Sequence, residues 1–155
     1  MNTKENSKKN INAKKNTKNK TNSNNSKKQH KMKEELVNLL LKLLIDVKIY
    51  HWKTKSYAEH KATDQLYESL NENIDKFVEI LLGKDEDRLN MKGRNIEISD
   101  PKTIEQFKKI INGNKVLLEK KMGKYLIANS DTDLLNIRDE ILGDLNQFLY
   151  LATFH

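Results

Sequence analysis

Apolar positions recur at helical spacing in four stretches of the chain, and no stretch alternates as a strand would. In the first, Leu36, Leu40, Leu43, Leu44 and Val47 line one side of a helix predicted from about Lys31 to Lys53. After a very short connection, Leu66, Leu70, Ile74, Phe77 and Leu81 form the stripe of a second helix from about Tyr57 to Leu82, closed by Gly83 as a C-terminal glycine. So short a link makes the two helices antiparallel neighbours. The polar stretch from Lys84 to Ser99 has the length of a crossover across the end of a bundle, with some local structure expected around Ile96 and Ile98. Asp100-Pro101, a capping carboxylate followed by proline, predicts the start of a third helix. There Ile104, Phe107, Ile111, Leu118, Met122 and Tyr125 keep register to about Ala128, through Asn112-Gly113-Asn114, the place for any kink. Ser130 or Asp131 caps a fourth helix whose apolar face is Leu134, Ile141, Leu145, Phe148 and Leu149. The predicted fold class is all-α, a four-helix bundle with a longer connection between the second and third helices.

Composition narrows what such a bundle does. The chain has 155 residues and no cysteine, which suits one domain and excludes disulfides, thiolate metal sites and cysteine nucleophiles. Absence of cysteine points to an intracellular rather than a secreted protein, and the first thirty residues hold no apolar run of the signal-peptide kind. Lys42, Asp46 and Lys48 interrupt the apolar stretch from Leu36 to Ile49, so no membrane span is expected.

Charge separates the chain into two parts. Residues 1–30 carry Lys4, Lys8, Lys9, Lys14, Lys15, Lys18, Lys20, Lys27 and Lys28 against Glu5, a net of +8, while the whole chain is +7, leaving −1 for residues 31–155. Asn and Ser fill most remaining tail positions, so the tail is expected to be a disordered cationic arm preceding the bundle domain. Such an arm binds polyanions through counterion release, without base readout, and DNA is the candidate partner. A coding bias toward Lys and Asn would produce the same composition without selecting any partner.

Candidate chemistry lies on the second helix. His60 with Asp64, and Asp75 with Glu79, are two pairs spaced four apart, and His51 ends the helix before. At about 100° per residue the four side chains of the second helix share one face, turned roughly 130° from the apolar stripe. They therefore point away from the chain's own core. Asp64 and Asp75 are separated by about 16 Å along the axis at 1.5 Å per residue, too far to share a metal within one chain. A second copy of the helix, antiparallel across a twofold near Ser69 and Leu70, would set His60 and Asp64 of one chain opposite Asp75 and Glu79 of the other. Mixed nitrogen and carboxylate ligands suit iron, zinc or manganese better than calcium.

His51-Trp52, His60, Asp64, Asp75, Glu79 and Gly83, with Asp144, Phe148, Tyr150 and Leu151 of the last helix, resemble the Dps family of DNA-binding, ferritin-like miniferritins. The resemblance runs from the first helix to the C-terminus. It implies a ferritin-like four-helix bundle, a homo-oligomer (a dodecamer in that family) and iron oxidised at intersubunit twofold sites, with hydrogen peroxide preferred over oxygen. By the same resemblance His51, His60 and Asp64 come from one subunit, Asp75 and Glu79 from its twofold mate, and Trp52 lies near the metal. On its own residues Trp52 reads as a packing side chain at a helix end.

One feature departs from the family. Eight residues separate His51 from His60, fewer than the family has, so the shorter turn is expected to affect the placement of His51 more than that of the other ligands. A small group of ferritin-like proteins of large DNA viruses is similar in this shortened form. No Glu-x-x-His pair occurs, which argues against the di-iron centre that larger ferritins build inside the bundle. His30 and His155, at the tail boundary and the chain end, are expected to be solvent-exposed. The alternative to an iron-oxidising protein is a non-enzymatic DNA-condensing or structural protein that keeps the bundle as a scaffold.

Overall fold

The computed structural model describes the backbone of residues 4–86 and 88–154, and side chains from Ser26 onward. All regular structure in it is helical: α1 (Lys4–Lys53), α2 (Tyr57–Gly83), α3 (Ile104–Tyr125) and α4 (Thr132–Leu151). The chain divides into two units, Met1–Lys33 and Glu34–His155. The second is an all-α four-helix bundle.

α1 begins at Lys4, well before the predicted start near Lys31. Residues 4–30 contain neither Pro nor Gly. Extending a helix already nucleated by the apolar-striped segment is far less costly than starting one, so no sequence signal stops it there. The side chains of Lys4, Lys8, Lys9, Lys14, Lys15, Lys18 and Lys20 lie outside the described residues, as does His155.

Contacts between helices set the topology. Tyr50 near the end of α1 stacks on Phe107 near the start of α3, with ring centroids 4.3 Å apart, while Tyr125 at the end of α3 donates to Glu35 Oε2 at 2.8 Å. α1 and α3 are therefore antiparallel. Phe107 meets Phe148 edge-on, Asn73 Nδ2 in mid-α2 donates to Asp144 Oδ2 in mid-α4 at 2.9 Å, and Lys84 just after α2 pairs with Asp131 just before α4, which makes α4 antiparallel to both α3 and α2. With α1 and α2 antiparallel through their short link, the order is up, down, down, up. Such an order needs one long crossover, between α2 and α3.

That crossover runs along α1 rather than across the end of the bundle. Arg94 pairs with Glu34, Asn38 Nδ2 donates to the Asn95 carbonyl at 3.3 Å, and Lys53 pairs with Asp100, so the segment climbs beside α1 in the same direction. Its central fastening is Asp46, a fully buried carboxylate (0% exposed). Asp46 accepts from Lys42 Nζ at 2.6 Å, the Ser99 amide at 2.9 Å and Ser99 Oγ at 3.1 Å. No regular structure forms around Ile96 and Ile98, because hydrogen bonds to α1 hold this segment instead of a partner strand.

The core contains every apolar residue predicted for α2 (Leu66, Leu70, Ile74, Phe77 and Leu81), together with Leu36, Leu40, Leu43 and Val47 of α1. Leu44 and Leu149 are only partly buried, while Val37, Tyr50 and Ile137 join the interior. Each fully buried large apolar side chain contributes about 1.5–3 kcal/mol relative to leaving it exposed. Asn114 is buried on the core face of α3, which passes through Asn112-Gly113-Asn114 as one helix.

Three predicted helix caps differ in the structure. α3 starts at Ile104, because Thr103 rather than Asp100 is the cap, its hydroxyl accepting from the Gln106 amide at 3.3 Å. Pro101 is buried just before it. α2 ends at Gly83 without a left-handed turn there; positive φ falls instead at Glu86 (51°) and Gly93 (76°). Asp131 stands at the N-cap of α4, but its carboxylate accepts from the Ile127 amide at 2.7 Å and from Lys84 instead of capping.

Removing the Asp46 carboxylate would leave Lys42 and the Ser99 groups without their shared acceptor. Asp46→Ala is expected to lower unfolding free energy by about 2–3 kcal/mol, read from the urea midpoint. A loss below about 0.5 kcal/mol, the scale of an ordinary surface change, would show that the crossover is not held there.

Candidate metal centre

α1 ends and α2 begins across a link of only Thr54, Lys55 and Ser56. The Ser56 side chain caps α2 by accepting from the Glu59 amide at 3.4 Å. Adjacent residues of the two helices then pair across the corner. Tyr50 donates to Glu59 Oε2 at 2.7 Å, and the next residues, His51 and His60, stack with ring centroids 3.9 Å apart and planes 24° apart.

The two histidines are tied crosswise. His51 Nδ1 lies 3.2 Å from the His60 carbonyl, and His60 Nδ1 lies 3.2 Å from the His51 carbonyl. A carbonyl only accepts, so both contacts favour the proton on Nδ1, and in a neutral ring Nε2 then keeps its lone pair. That is the tautomer that binds a metal through Nε2.

The environment of His51 holds it neutral. The residue is 6% exposed, and burial, followed by the nearby His60 and Lys48, pushes its pKa below the usual histidine value. Its Nε2 faces Asp64 Oδ1 at 3.8 Å, beyond hydrogen-bond reach. A lone pair thus faces a carboxylate, an arrangement that a cation between them would relieve. Ligand atoms bound side by side to a first-row metal at about 2.0–2.2 Å lie roughly 3.0–3.5 Å apart, so a few tenths of an ångström of side-chain movement suffice.

The short turn therefore does not carry His51 out of reach. It brings His51 against His60 and beside Asp64. Asp75 and Glu79 are exposed farther along α2, on the side away from its core stripe. Among the described residues of one chain, no three His, Asp or Glu side chains gather as a metal site.

Trp52 is 68% exposed, so it does not pack at the helix end as predicted; Lys48 Nζ stands 5.9 Å from its ring centroid and 4.2 Å from that of Tyr67. Residue 52 lies about 100° per residue beyond His51 and two positions past Tyr50, which turns it off the core face. Thr63 is a site residue that the apolar pattern hides. It sits on the core side of α2, fully buried, with Oγ1 3.2 Å from His51 Nδ1. Its signal in the sequence is a small polar residue inside an apolar stripe, three after His60.

The comparison with known families is decided by residues 51–151, which match DUF5856, a family of unknown function. The chain belongs to that family. The matched stretch opens on His51 and contains all five candidate ligands, while residues 1–30 lie outside it. No curated protein and no solved structure matches the chain.

Because the folded-state pKa of His51 is depressed, the unfolded chain takes up its proton first as pH falls. Stability from this residue is thus fully present above the unfolded value of 6.5 and declines as pH drops below it, until the folded group also titrates. His51→Gln should flatten the fall in the urea midpoint between pH 7.5 and 5.5. An unchanged slope in the variant would assign that dependence to other groups.

Proposed function

We propose that this protein is a Dps-like, iron-binding miniferritin that takes Fe(II) as substrate, oxidises it with hydrogen peroxide or oxygen, and retains Fe(III) in a homo-oligomer. The observation that carries this reading is the pairing of His51 with His60 at the α1–α2 corner, with His51 Nε2 directed at Asp64. The up, down, down, up order with one long crossover is also the arrangement of ferritin-like bundles.

In this reading His51, His60 and Asp64 form one half of a site, and Asp75 and Glu79 of an antiparallel second copy form the other. Neutral imidazoles and carboxylates bind ferrous iron without saturating it, leaving positions for the oxidant. Additional carboxylates favour the higher charge of the ferric product. The α1–α2 corner pre-positions both histidines through the carbonyls that accept from them. By resemblance the oligomer is a dodecamer.

Asp64→Ala and Glu79→Ala should each abolish fast ferrous oxidation while helical content by circular dichroism stays unchanged. Mixed oligomers of the two variants should regain part of the activity, because some sites then receive intact halves from both chains. His51→Ala should cost as much activity as His60→Ala. Wild-type protein that oxidises iron no faster than buffer would sink the reading, and failure of mixed oligomers to recover would sink the shared site.

Non-specific DNA binding belongs to the lysine-rich N-terminal segment, where Lys27 and Lys28 are exposed. A non-enzymatic DNA-condensing scaffold is the second reading, favoured by the +8 charge of residues 1–30. Deleting residues 1–30 should abolish DNA retention in gel shift, leaving ferrous oxidation and particle mass intact. Full-length binding should weaken steeply from low to physiological salt. Truncated protein that binds with the same salt slope would remove the tail from the mechanism.

A further inference from the structure

We infer that Thr63 is a positioning residue that locks His51 in the tautomer with its proton on Nδ1, so that the Nε2 lone pair is held toward Asp64. Reading that lone pair as a metal ligand rests on the function proposed above; the tautomer itself does not.

The inference follows from counting protons around the imidazole. Thr63 Oγ1 has one proton, and two carbonyls compete for it: Glu59 at 2.7 Å and His60 at 3.1 Å. The shorter contact, to the residue four back in the helix, takes it. The hydroxyl oxygen then faces His51 Nδ1, 3.2 Å away, as an acceptor. The His60 carbonyl, also 3.2 Å from Nδ1, is an acceptor by nature. Two acceptors converge on one ring nitrogen, and only a protonated Nδ1 satisfies them.

The opposite tautomer fails on both sides. It would set an Nδ1 lone pair against the His60 carbonyl, and its Nε2 proton would reach toward Asp64 Oδ1 at 3.8 Å, too far for a hydrogen bond. Thr63 is fully buried, so no water replaces its hydroxyl without rearrangement of the corner. It touches the ring on the side away from Asp64 and acts on the site only through His51.

The test is a ¹⁵N-histidine-labelled full-length chain, with long-range ¹H–¹⁵N correlation spectra recorded metal-free at pH 7.5, alongside titration with Fe(II) and with Zn(II) under anaerobic conditions. His51 is assigned by its loss in His51→Gln. Wild type should show His51 protonated on Nδ1. Thr63→Val, nearly the same shape without the acceptor, should show a mixed tautomer and about tenfold weaker metal binding, the lower end for loss of such an outer partner. Thr63→Ser should restore both. A wild-type His51 protonated on Nε2, or a Thr63→Val variant with unchanged tautomer, would overturn the inference. Wild-type protein that shows the expected tautomer and Thr63 dependence but binds neither metal would leave the inference standing and remove the metal reading instead.

Discussion

The reciprocal tie between His51 and His60 governs the rest of the site, because it fixes at once the geometry of the α1–α2 corner and the chemical state of both rings. Two rings stacked at 3.9 Å would repel if both were charged, and burial of His51 favours the neutral form. Each ring spends its Nδ1 proton on the other's main-chain carbonyl. What remains on neutral His51 is an Nε2 lone pair directed at a carboxylate. The neighbouring bond from Tyr50 to Glu59 repeats the same residue-to-residue correspondence one position earlier. Consecutive positions on α1 are thus matched to consecutive positions on α2, and a turn of three residues is short enough to hold that match.

Much of this was legible in the sequence. Apolar spacing of 3.6 placed the core stripe of α2 residue by residue, and the angle between that stripe and His60, Asp64, Asp75 and Glu79 put those candidate side chains on the outward side. What failed had physical causes that spacing does not encode. The shorter turn was expected to affect the placement of His51 more than that of the other candidate ligands; helix geometry only requires that the corner close, and a tight corner draws the last residues of α1 onto the first turn of α2. Asp100-Pro101 has the chemistry of a helix start, yet Asp100 is paired with Lys53 in the structure, and Thr103 caps in its place. The path of the crossover follows polar ties to α1, centred on the buried carboxylate of Asp46, which in sequence is only an interruption of an apolar run.

Charge distribution constrains how two copies could share the proposed site. The outward side of α2 carries Asp64, Glu68, Glu72, Asp75 and Glu79, with Lys61 and Lys76 as its basic residues. An antiparallel pair centred near Ser69 and Leu70 sets Asp64 against Asp75 and brings both sets of carboxylates within a Debye length, about 8 Å at physiological ionic strength. Without cations this pairing is opposed by like-charge repulsion. With divalent cations held between His60, Asp64, Asp75 and Glu79, the same carboxylates become the attraction. Neutral histidines matter here as well: protonating either ring would offset the negative charge but remove the lone pair that makes the cation specific to a transition metal. In the proposed reading, the buried corner at His51 and the exposed acidic side of α2 are therefore one device. The corner selects the ion, and the ion decides whether two acidic surfaces can meet.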